Sequence, residues 1–306
     1  MMRRLVVLLT LLFAAPAQAH EWRTLDSAPL KRTEVSAVRI GNSIYVAGGF
    51  ARTSRSTAAL ERYDIGKNRW TRRAPIPTRL NHAAAAVYQG DMYLVGGYQD
   101  GNVEQATLLR YDPARNRWRS LPPMPTARGA LTAAVIGDRL YAAGGAVDGT
   151  ALTTLEVYDF KTGRWSPGPP MRVAREHLAG AATKTAFYAL AGRAPGNFTV
   201  AERYVPAKNA WEQLPDLKHS RGGTAAATLG DGRIVIAGGE ERADTIPEVE
   251  LFDPRNRRWS ALADMPRPRH GLGVVARGQT VYTVQGGVKP GFSFSSAIES
   301  LRVPAR

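Results

Sequence analysis

No cysteine occurs anywhere in the 306 residues. The chain therefore has no disulfide to staple it, no thiolate to offer a metal and no lipid-carrying cysteine at a leader cleavage site, so folding must rest on apolar packing. Long hydrophobic runs are equally scarce. The longest, Leu5 to Ala15, spans eleven residues, about half of the roughly twenty that a helix needs to cross a bilayer. It follows Met1-Met2-Arg3-Arg4 and meets the small residues Ala17-Gln18-Ala19, the order of a secretory signal peptide with cleavage expected after Ala19. The expected organisation is a leader over 1–19 and a single folded unit over 20–306. That unit would be exported to a periplasm or the exterior, with no membrane span and in a monomeric state.

Acidic residues are the other shortfall. Lys and Arg number 41 against 26 Asp and Glu, for a net charge of +15, and loss of Arg3 and Arg4 leaves 39 basic residues and a net charge of +13. Such an excess draws anionic partners over long range, among them acidic glycans and lipopolysaccharide. The basic residues are scattered, no aromatic-basic platform accompanies them, and export separates the chain from most nucleic acid, which is not an expected partner.

Helical periodicity is absent. In its place the chain repeats itself. Gly-Gly pairs stand at Gly48-Gly49, Gly96-Gly97, Gly144-Gly145, Gly238-Gly239 and Gly286-Gly287, with Ala191-Gly192 filling the gap. All six tryptophans, Trp22, Trp70, Trp118, Trp165, Trp211 and Trp259, keep the same beat, with steps of 48, 48, 47, 46 and 48. Between glycine pair and tryptophan comes Tyr63, Tyr111, Tyr158, Tyr204 or Phe252, with Leu301 in the last place. Each unit reads as four short strands. In the second, Ala83 to Tyr88 and Met92 to Val95 flank a Gln-Gly-Asp turn, and Thr107 to Tyr111 and the segment around Trp118 flank Asp112-Pro113-Ala114-Arg115-Asn116.

This pattern resembles the kelch repeat: a period near fifty, a Gly-Gly after an apolar strand, then Tyr and Trp about seven residues apart. The resemblance covers essentially all of 20–306 and implies an all-β, six-bladed kelch β-propeller, with small residues near the axis and large aromatics between blades. Trp22 precedes the first glycine pair and no Trp follows the last. The last blade should therefore be closed by the N-terminal strand, Glu21 to Thr24 pairing with the strand around Ile298 to Val303, which leaves no open sheet edge.

In such a fold the loops after the glycine pairs share a face with the loops leading into each first strand. The lead-in loops carry Arg32, Arg79, Arg128, Arg175, Arg221 and Arg269. Kelch relatives often place arginine there, and a rim of guanidinium forks would suit an anionic ligand. Their recurrence also fits a scaffold role, pairing with the repeated Glu61, Glu156, Glu202, Glu250 and Glu299. Positions that differ between blades are better candidates for function. Counted back from the glycine pairs, one such position holds Glu34, His82, Ala130, His177, Thr224 and Leu272, so Glu34, His82 and His177 are the candidate proton-transfer residues. Arg52, Arg55, Asp100, Asp148, Arg193, Asn197, Glu240, Glu241 and Lys289 are candidate contacts in the loops after the glycines.

Two functions follow. The first is an exported binding module for a protein, peptide or acidic glycan. The second is a periplasmic sugar epimerase or mutarotase similar to N-acetylneuraminate epimerase, with Arg79 or Arg175 holding the sugar carboxylate; that family's long insertions are missing here. No cofactor is expected. No metal is expected either, since the copper oxidases among kelch proteins need a cysteine, and a mature N-terminal His20 lacks an evident second histidine.

Overall fold

The computed structural model describes residues 21–306, so the leader expected over 1–19 and the start at His20 lie outside the described residues. Six four-stranded antiparallel sheets form the blades of a propeller. The first is built of Ser36–Ile40, Ser43–Ala47, Leu60–Asp64 and Arg69–Arg72, and the next four follow the same order along the chain. The sixth takes Gly273–Arg277, Thr280–Val284 and Ile298–Arg302 and is completed by Trp22–Thr24. Trp22 lies opposite Leu301, Arg23 opposite Ser300 and Thr24 opposite Glu299, the closure expected from the sequence. Apart from strands, the described residues hold one 3-10 turn, Pro206–Lys208. No helix among the described residues is long and apolar enough to cross a membrane.

The taper of the blades explains which residues repeat. At the hub, innermost strands crowd so closely that a β-carbon on Gly273 would lie 2.3 Å from that of Ala37, and one on Gly180 would lie 1.9 Å from Thr132 Oγ1. Farther out, each third-strand aromatic meets the tryptophan opposite it, as in Tyr63–Trp70 and Tyr111–Trp118 with ring centroids 5.1 and 4.9 Å apart. Every tryptophan also reaches back to the preceding blade. The indole Nε1 atoms of Trp70, Trp118, Trp165, Trp211 and Trp259 donate to the backbone oxygens of Asp26, Ala74, Pro122, Pro169 and Pro215. Trp22 completes the circle by donating to Ala263 O at 3.0 Å.

Between hub and aromatics lies a charged layer. Arg32, Arg128, Arg175, Arg221 and Arg269 are all fully buried, and each pairs with the third-strand glutamate of its own blade: Glu61, Glu156, Glu202, Glu250 and Glu299. The forks also hold backbone: Arg32 donates to the carbonyls of Gly48, Ala59 and Val46. Burial lowers Arg32 and Arg269 to about 10 against the pull of their glutamates, which leaves both charged at neutral pH.

The second blade lacks this pair. Leu80 takes the arginine position and Leu109 the glutamate position, both buried in one apolar cluster with Leu60, Ile76 and Leu94. Thr107 Oγ1 then caps Gly96 O at 3.0 Å, the carbonyl that an arginine caps in the first, third, fourth and fifth blades. Arg79, expected in the arginine set, is exposed; the set was displaced by one residue in this blade because the true occupant is not an arginine.

The contrast makes a stability prediction. Arg128→Leu alone strands a buried Glu156 and should cost about 3–5 kcal/mol. Arg128→Leu with Glu156→Leu copies the second blade, whose capping threonine already has a counterpart in Thr154, and should recover most of that loss. Urea unfolding of the two variants distinguishes these; equal destabilisation would mean that the pair is not what the single variant breaks.

Candidate functional site

Lead-in loops and post-glycine loops meet on one face, as expected. They are joined by isolated bridges at Asn81–Tyr98, Gly129–Ala146, Glu176–Arg193, Gly222–Glu240 and His270–Gly287. At the centre of this face six residues form a belt of backbone hydrogen bonds. His82 donates its amide to Glu34 O, Ala130 to His82 O, His177 to Ala130 O, Gly223 to His177 O and Gly271 to Gly223 O; Val35 N closes the ring on Gly271 O. All six belt residues, Glu34, His82, Ala130, His177, Gly223 and Gly271, have φ between 51° and 64°. Left-handed backbone is unfavourable for side chains other than glycine by about 1–2 kcal/mol, and non-glycine residues held there are often functional.

The belt corrects two sequence assignments. Thr224 and Leu272 were counted into this ring, whereas Gly223 and Gly271 occupy it. The hairpin between the first two strands of the fifth blade, over 229–233, carries one extra residue, which shifted the count there. In the sixth blade the tight turn uses Gln285 and Gly286, with φ of 56° and 96°, and not the pair Gly286-Gly287. Gly287 instead makes room for His270, whose Cε1 would lie 2.3 Å from a β-carbon there.

Glu34, His82 and His177 do converge. Their ligand-capable atoms lie within 4.8 Å of one another, over a channel of about 150 Å³ lined by the innermost strands. His82 Nε2 is 3.3 Å from Glu34 Oε2, and the two imidazole rings meet edge to face at 4.6 Å. His82 Nδ1 meets Asn81 Oδ1 at 2.5 Å, and Asn81 is anchored in turn on Ser56 Oγ at 2.7 Å. His177 Nδ1 meets the Glu176 carboxylate. Burial pushes His82 down to about 4, so it is uncharged at neutral pH. Burial would raise Glu34, but His82, His177, His270 and Arg193 together outweigh it and hold this carboxyl well below its usual range.

Around this trio runs a ring of charged and polar side chains, some of them outside the set expected from the sequence. Arg193 bridges Glu176 at 2.7 Å and Glu240 at 2.9 Å and places Nη2 3.2 Å from His177 Nε2. His270 Nε2 faces Glu34 at 3.5 Å and Glu240 at 3.6 Å, and Asn197 donates to Glu240 O. Of the loop candidates, Arg193, Asn197 and Glu240 thus join the site. Arg52, Arg55, Asp148, Glu241 and Lys289 stay exposed, and Asp100 accepts from Ser56 N. Asn81, Glu176 and His270 were missed, although a signal exists: they occupy the position just before the belt, which reads Thr33, Asn81, Gly129, Glu176, Gly222, His270.

The arginine rim is absent from the mouth. Arg32, Arg128, Arg175, Arg221 and Arg269 are consumed by glutamates inside the blades, because an uncompensated buried carboxylate is far costlier than an exposed one. The mouth itself presents three carboxylates, Glu34, Glu176 and Glu240, against one guanidinium, Arg193, which two of them already hold. Its lip is aromatic: Phe292 packs on Phe50 at 5.2 Å, and Phe50 and Tyr98 pack on His82 at 5.7 and 5.6 Å.

Comparison with known proteins places this geometry in context. The Kelch motif matches residues 31–77, 79–125, 127–172 and 221–266. The chain is 30% identical to human Kelch-like protein 21 over 101 residues, 32% of this chain and 16% of that one. It is 38% identical to human Kelch repeat and BTB domain-containing protein 13 over 69 residues, 22% of this chain and 15% of that one. It is 33% identical to Kelch-like protein terF of Aspergillus terreus over 99 residues, 31% of this chain and 21% of that one. The matches thus span about a fifth or less of the length of these relatives. The structure of YjhT superposes with a TM-score of 0.76 at 15% identity, covering 90% of this chain and 95% of that one, a likeness of fold.

Belt positions should respond to substitution in opposite directions. A β-carbon at Gly271 would lie 2.4 Å from Glu34 Oε1 and 2.6 Å from Glu34 N, so Gly271→Ala should destabilise by at least about 2 kcal/mol. Ala130→Gly relieves left-handed strain against a modest gain in unfolded-chain entropy and should fall between neutral and about 1 kcal/mol stabilising. Denaturant midpoints at constant slope report both.

Proposed function

Because the chain belongs to the kelch-repeat family of β-propellers, a fold that typically serves as a protein-binding module, we propose that it is a non-catalytic binding module taking a protein or peptide segment on the mouth face. One observation carries this reading. The large apolar side chains that are exposed among the described residues, Val103 at 53%, Val288 at 39% and Phe292 at 65%, all sit in loops after the glycine turns, on the face that bears the mouth. An apolar lip around a polar floor is the pattern of a recognition site, where a few aromatic anchors supply most of the affinity.

The charge of the mouth favours such a segment over an acidic glycan. Three carboxylates face any ligand that enters, and the guanidinium that stands among them, Arg193, is already held by Glu176 and Glu240. The epimerase reading gains proton-transfer partners in Glu34, His82 and His177 but loses its anion clamp: Arg175 is buried against Glu202 and Arg79 is exposed outside the mouth network. Export through the leader at 1–19 completes the proposal, and the mature chain recovered from a bacterial periplasm should then begin at His20.

Peptides selected by display against the protein should lose at least about tenfold in affinity on Phe292→Ala, while this exposed substitution leaves the melting temperature nearly unchanged. Selected peptides that bind Phe292→Ala undiminished would remove the proposed face. In parallel, N-acetylneuraminate should leave the melting temperature and its NMR anomer exchange unaltered. Faster exchange that vanishes in His82→Ala or His177→Ala would replace this reading by the enzyme.

A further inference from the structure

We propose that Glu34, His82 and His177 form a binding site for one divalent first-row transition-metal ion of the Zn²⁺ class at the floor of the mouth. The three side chains project from the belt with exposures of 12%, 13% and 11%, and their donor atoms lie within 4.8 Å of one another. Two imidazoles and a carboxylate are the ligand types such ions favour when no thiolate is present.

The outer partners support the same reading independently. With His82 Nδ1–H donated to Asn81 Oδ1 at 2.5 Å and His177 Nδ1–H to the Glu176 carboxylate, each ring turns its Nε2 inward. Outer hydrogen bonds of this kind orient metal-binding histidines. His82 Nε2 and Glu34 Oε2 then face each other 3.3 Å apart. That separation is about what two ligands subtend around an ion held at roughly 2.0–2.2 Å.

Charge points the same way: three carboxylates, Glu34, Glu176 and Glu240, gather around the floor, and the one guanidinium among them, Arg193, bridges Glu176 and Glu240 and leaves Glu34 to a cation. Arg193 Nη2, 3.2 Å from His177 Nε2, is the competitor that the ion must displace, and Glu176 and Glu240 can retain it. Spacing rules could not find this site, because the ligands come from three blades, 48 and 95 residues apart. The proposal is independent of the partner reading, and its test needs no partner.

The untagged protein, stripped with chelator, is titrated with Zn²⁺ by calorimetry and with Co²⁺ by visible absorption. One ion per chain is expected, with cobalt bands of a four- or five-coordinate imidazole site. His82→Ala and His177→Ala should each weaken binding by at least about tenfold, and Asn81→Ala by about 10–100-fold through loss of orientation. Arg193→Gln should tighten it, and His219→Ala, exposed outside the network, should change nothing. Absence of saturable binding, survival of binding in both His82→Ala and His177→Ala, or a solvent-like octahedral cobalt spectrum would each overturn the proposal. The cobalt spectrum of the unaltered protein decides the matter should a histidine variant fail to fold.

Discussion

The belt of six backbone hydrogen bonds at the channel mouth is the constraint on which the rest depends. Each lead-in segment must turn sharply enough to hand its amide to the neighbouring blade, and the left-handed conformation at Glu34, His82, Ala130, His177, Gly223 and Gly271 is how that turn is made. Glycine satisfies it most cheaply, and two blades use glycine. Three others carry an ionisable side chain at a conformational cost, which converts a structural corner into a place where chemistry is aimed at the axis.

Symmetry elsewhere serves stability. The repeated arginines suit a ligand and a scaffold equally by residue type, and burial decides between them: all five are closed off from solvent, each against a glutamate, with backbone carbonyls around Arg32, Arg128, Arg175 and Arg221 and Thr283 Oγ1 beside Arg269. The second blade shows that the pair is replaceable as a unit, since Leu80, Leu109 and Thr107 fill the same space and cap the same carbonyl. Replacing both partners by apolar groups avoids the desolvation that burying two charges requires.

Asymmetry, by contrast, collects at the mouth. Five of the six blades contribute polar groups to one network, Glu34, His82, Glu176 with His177 and Arg193, Glu240, and His270, while the third adds only Ala130 and Gly129. Gly129 is itself informative, since a β-carbon there would lie 2.3 Å from the Tyr98 ring; its absence lets that ring pack against His82. The network is thus supported from behind by aromatics as well as by hydrogen bonds.

The period of the glycines and tryptophans determined the fold, the blade number and the closure by Trp22–Thr24, because each repeat obeys a local rule of size: small at the hub, aromatic at the gap. The same periodicity brought Glu34, His82 and His177 to one level. What it could not determine was which residues face inward and which face the ligand. A one-residue insertion in the hairpin over 229–233 and a turn built on Gln285 displaced the count, and five arginines that read as a rim proved to be core. Those outcomes depend on which charges find partners once the blades close on one another, and pairing between residues tens to hundreds of positions apart exists only in the assembled ring.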